Sequence, residues 1–343
     1  MIMTSTTAII GGGIAGITAS RLLSGVVGLQ GNSVALFERS TRLGGRVSSR
    51  TVNDSFVWVY GYQQLGLYPN PHLPPGGTRV LEGKERIDAV ALLGRDSRED
   101  VVVADSPLRG LDVPDDVDVR TGCNVVGLRR TSEKRWGVTF EQHAGRHEAT
   151  FDRVVIADYT AATSLLRQVL STALDPPSLE AVQSITDRLD GVEYRPVFAY
   201  LAHLHGDMSE GPITSNAFSM LRQEHSFVWG FTSPEMTARL LRELPMTDAH
   251  GRVVPQAKEY RSRVASILDE TVGGASRVRE SWSHRWGRGF PTKTINDTKF
   301  LYDERLRLGV CGDMFAVDGL APFDSAEKSA EALVGAMTTA AKL

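Results

Sequence analysis

Three glycines near the start of the chain have the spacing of a phosphate-binding turn. In the segment IIGGGIAG, Gly11, Gly13 and Gly16 follow the pattern GxGxxG. The first glycine permits a tight turn, the second lets backbone approach a pyrophosphate, and the third lets a helix pack against a strand. The apolar run before them predicts a buried strand, and residues 17–23 have helical spacing, so the start of this helix offers free N–H groups to phosphate. Ile14 and Ala15, within the glycine segment, are further candidate cofactor-binding residues. The segment therefore predicts a dinucleotide-binding turn.

An acidic residue ends the next strand-like run. Residues 33–38 are predicted to form a second strand, and Glu38 lies 22 residues after Gly16. A carboxylate at this place accepts hydrogen bonds from the two hydroxyls of an adenosine ribose and repels a 2′-phosphate. The pattern thus favours FAD or NAD as the ligand.

A glycine pair and several arginines follow this acid in the segment ERSTRLGGRVSSR. A diphosphate carries two charges, which one helix dipole offsets only in part, and an arginine fork supplies matched donors. Gly44, Gly45 and Arg46 resemble the flavin amine oxidase superfamily and its renalase-like branch, in which the glycine pair and arginine contact the FAD diphosphate. The resemblance implies FAD as the cofactor, with Arg39 as a further ligand.

The segment FVWVYGYQQLG is similar to the part of this superfamily that faces the flavin ring. The resemblance implies that Gly61 contacts the cofactor and that Tyr60, Tyr62 and Gln63 orient a substrate over the ring. An Asp followed by a small residue or His is common before that glycine, whereas this chain has Val59 and Tyr60.

Two further segments carry the resemblance. VRTGCNVV resembles the strand whose backbone contacts adenine, with Val125 in that role. LGVCGDMF resembles the C-terminal Gly-Asp motif, in which Gly312 and Asp313 hold a ribityl hydroxyl. Ser329 and Ala330 lie in the following helix, whose first turn is expected to direct N–H groups at the flavin.

The segment SHRWGRGFP resembles a renalase-like His-Arg-Trp segment. The resemblance places Trp286 near the flavin ring, and His284 is a candidate because histidine titrates near neutral pH. Many amine oxidases carry a lysine near the flavin in the substrate lobe, but residues 135–257 contain no lysine. This difference argues against ordinary amine oxidation.

The alternation of apolar runs predicts an α/β fold with two domains. The resemblance implies an FAD-binding Rossmann-type domain of the glutathione-reductase kind, with an inserted α+β substrate domain that contains a mixed or antiparallel sheet. The predicted first domain is discontinuous and comprises residues 1–68, 115–165 and 285–343. Residues 69–114 and 166–284 form the predicted substrate domain.

The composition excludes several classes of partner. A net charge of −3 gives no field that would hold nucleic acid. No run approaches a membrane span, and the two cysteines, Cys123 and Cys311, have no metal-ligand spacing. We therefore expect a cytoplasmic protein without a metal, whose oligomeric state the sequence does not indicate.

The main functional expectation is an FAD-dependent oxidoreductase that takes a hydride from a small amine-like or dihydronicotinamide-like substrate onto flavin N5. Dioxygen is one candidate acceptor for the electrons. Two alternatives stay open. One is an FAD-containing natural-product tailoring enzyme with non-redox chemistry, such as isomerisation, elimination or cyclisation. The other is a flavin-binding protein without catalysis.

Overall fold

The chain forms two compact units in the computed structural model. Unit 1 comprises Met1–Ser48, Leu108–Tyr194 and Pro291–Leu343, and unit 2 comprises Ser49–Pro107 and Arg195–Phe290. The structure describes residues 5–25, 33–47, 49–52, 56–59, 66–69, 79–80, 102–103, 113–143, 145–172, 174–205, 218–222, 225–245, 258–272, 276–316 and 322–340.

The units differ from the predicted domains mainly in two segments. Residues 49–68 belong to unit 2, whereas the sequence grouped them with the first domain, and residues 166–194 belong to unit 1, whereas the sequence grouped residues 166–284 with the substrate domain. The physical reason for the second difference is continuous helical packing. One helix runs from Tyr159 to Leu170, and a second, Pro176–Asp190, packs against it in the same apolar core.

Unit 1 is built on a six-stranded sheet with the order β17-β18-β12-β1-β2-β8. Its strands are β1 (Thr6–Ile10), β2 (Ser33–Phe37), β8 (Val117–Arg120), β12 (Arg153–Ile156), β17 (Leu301–Asp303) and β18 (Leu308–Val310). All neighbours pair in parallel except β17, which is antiparallel to β18. The strands β1, β2 and β12 are almost wholly buried apolar runs, as expected when helices or a second sheet cover both faces.

Helices and a second sheet cover the two faces of this parallel sheet. The helices of unit 1 are α1 (Ile14–Ser24), α2 (Tyr159–Leu170), α3 (Pro176–Asp190) and α6 (Pro322–Ala340). Helices α1 and α6 share one apolar core with Ile9 of β1 and with Val34 and Leu36 of β2. Helices α2 and α3 lie in the other core, together with Trp136, Phe140 and Phe151 of the second sheet.

The second sheet of unit 1 is an antiparallel meander of β9 (Asn124–Arg130), β10 (Trp136–Gln142) and β11 (Gly145–Phe151). Residues 117–128 alternate in hydropathy as one continuous strand would. The structure divides them between the two sheets, because Gly122 turns the chain at a φ of 62°. The turn is held by Cys123 N–H, which donates to the carbonyl oxygen of Glu38.

Unit 2 contains a four-stranded sheet with the order β14-β15-β13-β16. Its strands are β13 (Glu193–Leu204), β14 (Phe218–Arg222), β15 (His225–Phe231) and β16 (Val278–Lys293), and its helices are α4 (Pro234–Glu243) and α5 (Lys258–Asp269). Its smaller sheets are formed by β3 (Ser49–Val52), β4 (Phe56–Val59) and β5 (Gly66–Pro69), and by β6 (Arg79–Val80) with β7 (Val102–Val103). The β13–β15 and β14–β15 pairs are antiparallel, which confirms the predicted α/β fold class with a second unit of mixed content.

Three global features bear on function. Cys123 and Cys311 are both buried free thiols. Across the part of the chain that the structure describes, no helix has the length and hydropathy needed to cross a membrane. In the same part, no three His, Cys, Asp or Glu side chains converge as a metal site would require.

Candidate functional site

The glycine turn lies at the carboxyl end of β1, where the sequence placed it. Gly11 has a φ of 107°, a conformation that favours glycine, and its N–H donates to the carbonyl oxygen of Phe37 at 2.9 Å. A Cβ on Gly16 would lie 1.8 Å from the carbonyl oxygen of Gly11, so this glycine is required for helix–strand packing. A Cβ on Gly13 would meet nothing within 4 Å. The turn therefore has one packed glycine and one open glycine, as a ligand-binding turn requires.

Glu38 follows β2 directly and lies beside the glycine turn. Its side-chain oxygens accept hydrogen bonds from Gly12 N–H at 2.8 Å and from Ser40 N–H at 2.7 Å. Glu38 is only 7% exposed. A carboxylate can accept more than these two bonds, so the fixed carboxylate keeps capacity for hydroxyl donors such as those of a ribose.

The glycine pair closes over the phosphate-binding turn. Gly44 N–H donates to the carbonyl oxygen of Gly12 at 2.8 Å. Gly45 has a φ of 53°, and a Cβ there would lie 3.2 Å from the Cα of Gly13. The pair therefore allows two backbone segments to touch, while Arg39 lies exposed at the surface.

Arg46 forms an ion pair within the candidate site. One of its terminal nitrogens, Nη2, lies 2.6 Å from Oδ1 of Asp313, in the loop after β18. Burial alone would lower the pKa of the Arg46 guanidinium, but the charge of Asp313 and the hydrogen bond to it raise that pKa above its ordinary value. Arg46 is thus a fixed cation, and part of its charge is already used by Asp313.

Asp313 carries an unsatisfied acceptor. Its side chain is 7% exposed, and its Oδ2 atom is buried without a hydrogen-bond partner among the described residues. A buried carboxylate oxygen without a partner costs free energy unless a ligand donor satisfies it. Oδ2 can therefore accept a hydrogen bond from a polar ligand.

The loop that carries Asp313 is anchored from behind by α6. Gly312 has a φ of 143°, and its N–H donates to the hydroxyl oxygen of Ser329 at 3.0 Å. Ser329 and Ala330 have no exposed surface. They lie in the third turn of a helix that begins at Pro322, so the structure places them behind the loop, where they fix its position.

The sequence analysis missed two residues of this cluster. Tyr194 donates its O–H to Oδ1 of Asp313 at 3.0 Å, and the Arg46 guanidinium lies 5.7 Å from its ring centroid. Asp158 caps α2 by accepting a hydrogen bond from Ala161 N–H at 2.7 Å. Tyr194 has no motif around it and is 119 residues from Asp313, so no local pattern could reveal it.

These residues converge because parallel strands end at one edge of the sheet. The glycine turn follows β1, Glu38 follows β2, Asp158 follows β12, and Asp313 follows β18. Ligands of open α/β sheets bind outside the carboxyl ends of the strands. The candidate site of unit 1 is therefore this edge, which presents backbone donors, one arginine and two carboxylates with acceptor capacity.

Unit 2 holds the other predicted pair, His284 and Trp286. Both lie on β16 and are partly buried, and their ring centroids are 4.3 Å apart at an interplanar angle of 60°. Ser281 and Ser283, on the alternate positions of the strand, donate to Asp269 and to the carbonyl oxygen of Arg261 on α5. His284 and Trp286 therefore face away from α5.

The side chains of β13 also divide between the two faces of the strand. Phe198, Tyr200 and Ala202 belong to the apolar core that contains α4 and α5. Alternation places His203, which is 2% exposed, on the opposite face of the strand. His203, His284 and Trp286 therefore lie on the faces of their strands that are opposite the described helices α4 and α5.

The predicted adenine contact, Val125, lies in β9 opposite Phe140, next to an irregularity in the strand register. Tyr60, Gly61, Tyr62 and Gln63 lie outside the residues that the structure describes.

Two comparisons concern the sequence. Residues 9–73 match the family model described as an NAD(P)-binding Rossmann-like domain. This match contains the glycine turn, Glu38 and the Gly44–Arg46 segment. A search among curated proteins finds no significant match.

One solved structure shows a similar fold over the whole chain. The chain is similar to a putative protoporphyrinogen oxidase from Exiguobacterium sp. 255-15, with a TM-score of 0.58, 12% identity and full coverage of both chains. CabE, an aromatic hydroxylase from angucycline biosynthesis, has a TM-score of 0.49 and 15% identity. BexE, described in BE-7585A biosynthesis, has a TM-score of 0.44 and 16% identity. The chain spans 63% of the length of CabE and of BexE. The domain match shows a Rossmann-like dinucleotide-binding segment and points to FAD as the cofactor, and the similarity to the oxidase shows the fold of the chain.

Proposed function

We propose that this protein is an FAD-dependent oxidoreductase of the renalase-like kind, which oxidises a small dihydronicotinamide-like or amine-like substrate. The observation that carries the proposal is the buried, unpartnered Oδ2 atom of Asp313, on the same sheet edge as the glycine turn and Glu38. A dinucleotide with a polyol chain supplies the donors that this arrangement lacks.

The residues of unit 1 fit FAD in charge and in shape. The open position at Gly13 leaves room for a diphosphate, and the N–H groups at the start of α1 favour its negative charge. Glu38 would accept from the ribose hydroxyls, and Asp313 would accept from a hydroxyl of the polyol chain. Arg46 would supply positive charge beside the diphosphate.

When bound, FAD supplies a hydride acceptor at N5. The protein then has to hold the cofactor, bind the substrate and exclude water. We assign substrate contact to His284 and Trp286, whose ring centroids lie 4.3 Å apart on the face of β16 opposite α5. Tyr60, Tyr62 and Gln63 remain candidates for orienting the substrate.

The lysine-free segment 135–257 favours a dihydronicotinamide-like substrate over an amine, because a lysine is the usual flavin-side partner in related amine oxidases. The chain has one GxGxxG segment, so no second dinucleotide domain is indicated for NADPH. Ordinary NADPH should therefore reduce the bound flavin slowly.

The test is anaerobic mixing of the purified holoprotein with a panel of amines and dihydronicotinamide isomers, followed by flavin absorbance. Rapid loss of the oxidised flavin band with one member, and oxygen uptake when air is admitted, would support the proposal. Fast stoichiometric reduction by ordinary NADPH would contradict the assigned substrate class. Turnover of a substrate without flavin reduction would instead favour the non-redox alternative.

A further inference from the structure

Oδ1 of Asp313 accepts two hydrogen bonds, whereas Oδ2 accepts none from the described residues. The two donors are Nη2 of Arg46 at 2.6 Å and the hydroxyl of Tyr194 at 3.0 Å. Two donors on one oxygen fix the rotation of a carboxylate, because a turn about its bond to Cβ would break both contacts. The second oxygen is then held in one place as an acceptor.

We propose that Tyr194 is a positioning residue of the cofactor site, which holds Asp313 so that Oδ2 is presented to a hydroxyl of the FAD polyol chain. This inference rests on the proposed FAD site. It adds a residue that contacts no cofactor itself and acts through the Asp313 carboxylate.

Tyr194 is fixed on several sides. Its ring packs against Tyr159 at a centroid distance of 5.1 Å and lies under the Arg46 guanidinium. The Tyr159 hydroxyl lies within hydrogen-bond distance of the carbonyl oxygens of Leu189 and Val192, which tie the pair to the end of α3. The aromatic pair therefore has little freedom to move away from Asp313.

The hydroxyl of Tyr194 is a permanent donor. Burial, and then the negative charge of Asp313, raise the pKa of Tyr194 well above its ordinary value. The phenol thus keeps its proton near neutral pH and donates to a carboxylate, which is a charge-assisted bond.

The experiment compares Tyr194→Phe with a matched control, Tyr159→Phe. Each change removes one hydroxyl and keeps the ring, but only the first removes a donor to Asp313. The chain is stripped of cofactor, and binding is titrated with FAD and separately with ADP, which has the diphosphate and ribose but no polyol chain.

We expect Tyr194→Phe to raise the FAD dissociation constant about tenfold and to leave that of ADP unchanged. Tyr159→Phe should leave both constants unchanged. In an Asp313→Asn background, Tyr194→Phe should have little further effect on FAD, because the two residues act as one unit.

Three results would overturn the inference while the wild-type chain still binds FAD. They are an unchanged FAD constant, equal losses for FAD and ADP, and additive losses in the double variant. Since the FAD to ADP ratio is measured on one folded preparation, reduced stability of a variant does not alter it. A wild-type chain that binds no FAD would instead refute the proposed function, and with it the inference.

Discussion

Two Arg–Asp pairs lie at opposite ends of the parallel strands in unit 1, and they differ in how the two oxygens of the carboxylate are hydrogen-bonded. At the amino end, Asp152 accepts from Arg135 with Oδ1 and from Thr6 with Oδ2. At the carboxyl end, Asp313 accepts from Arg46 with Oδ1, while its Oδ2 has no partner in the described structure.

The difference separates stabilisation from binding. A carboxylate whose two oxygens both accept hydrogen bonds stabilises the folded state, and it needs no further donor from a ligand. A buried carboxylate with one oxygen that accepts no hydrogen bond lowers the stability of the fold until a ligand supplies a donor. We therefore assign a structural role to the amino edge of the sheet, and we propose the carboxyl edge as the binding edge.

The largest effect should come from the two glycines of the binding edge. Gly16→Ala places a methyl group against a backbone oxygen and should lower the free energy of unfolding by about 3 kcal/mol or more. Gly13→Ala meets open space in the protein, so its stability should stay near wild type while FAD binding is lost. Chemical denaturation and FAD titration of both variants measure this contrast. A stable Gly16→Ala protein, or tight FAD binding by Gly13→Ala, would contradict it.

The second-largest effect is expected from substitution of the two aspartates, Asp313 and Asp152. Asp313→Asn should raise the FAD dissociation constant by roughly 30-fold or more, because it removes the charged acceptor. Asp152→Asn should leave FAD affinity unchanged and lower the free energy of unfolding by about 1 to 3 kcal/mol. Equal losses of affinity in the two variants would show that the edges do not differ in function.

Acid titration should sharpen the same comparison. Burial alone would raise the pKa of Asp152, but hydrogen bonds from Thr6 and the charge of Arg135 lower it below its ordinary value of 3.8. The contribution of Asp152 is therefore complete above pH 3.8 and is lost as the pH falls through the lower folded-state value. Wild type should lose stability in this acid range more steeply than Asp152→Asn, as denaturant midpoints at each pH would reveal. Parallel curves would remove Asp152 as a cause of the acid loss.

The smallest effect on cofactor affinity is expected in unit 2. Trp286→Phe and His284→Gln should lower kcat/KM about tenfold for whichever dihydronicotinamide or amine reduces the flavin fastest. Their FAD dissociation constants should stay within about twofold of wild type, because the pair belongs to the substrate side of the proposal. Weakened FAD binding with normal turnover would reverse that assignment.

The sequence predicted the strands and the glycine turn that carry the candidate site, because backbone chemistry decides the residue types there. The glycine turn, Glu38 and Asp313 each follow a short apolar strand, and a strand end followed by glycine or acid is a local pattern. The strand, turn, helix and strand of residues 6–37 were therefore predicted within a few residues of their observed bounds.

Long-range contacts were not predictable in this way. The Tyr194–Asp313 bond joins two segments that have no common pattern, and it forms only because α2 and α3 bring the start of β13 back to the sheet edge. The structure groups residues 166–194 with unit 1 for the same reason. An amphipathic helix shows which of its faces is apolar, but it does not show which unit will cover that face.

The central claim is that the carboxyl edge of unit 1 binds FAD, and the visible spectrum of the purified chain tests it most directly. We expect the flavin absorbance band near about 450 nm, together with tight rebinding of FAD after the cofactor is removed. A colourless protein that forms no tight complex with added FAD would contradict the account.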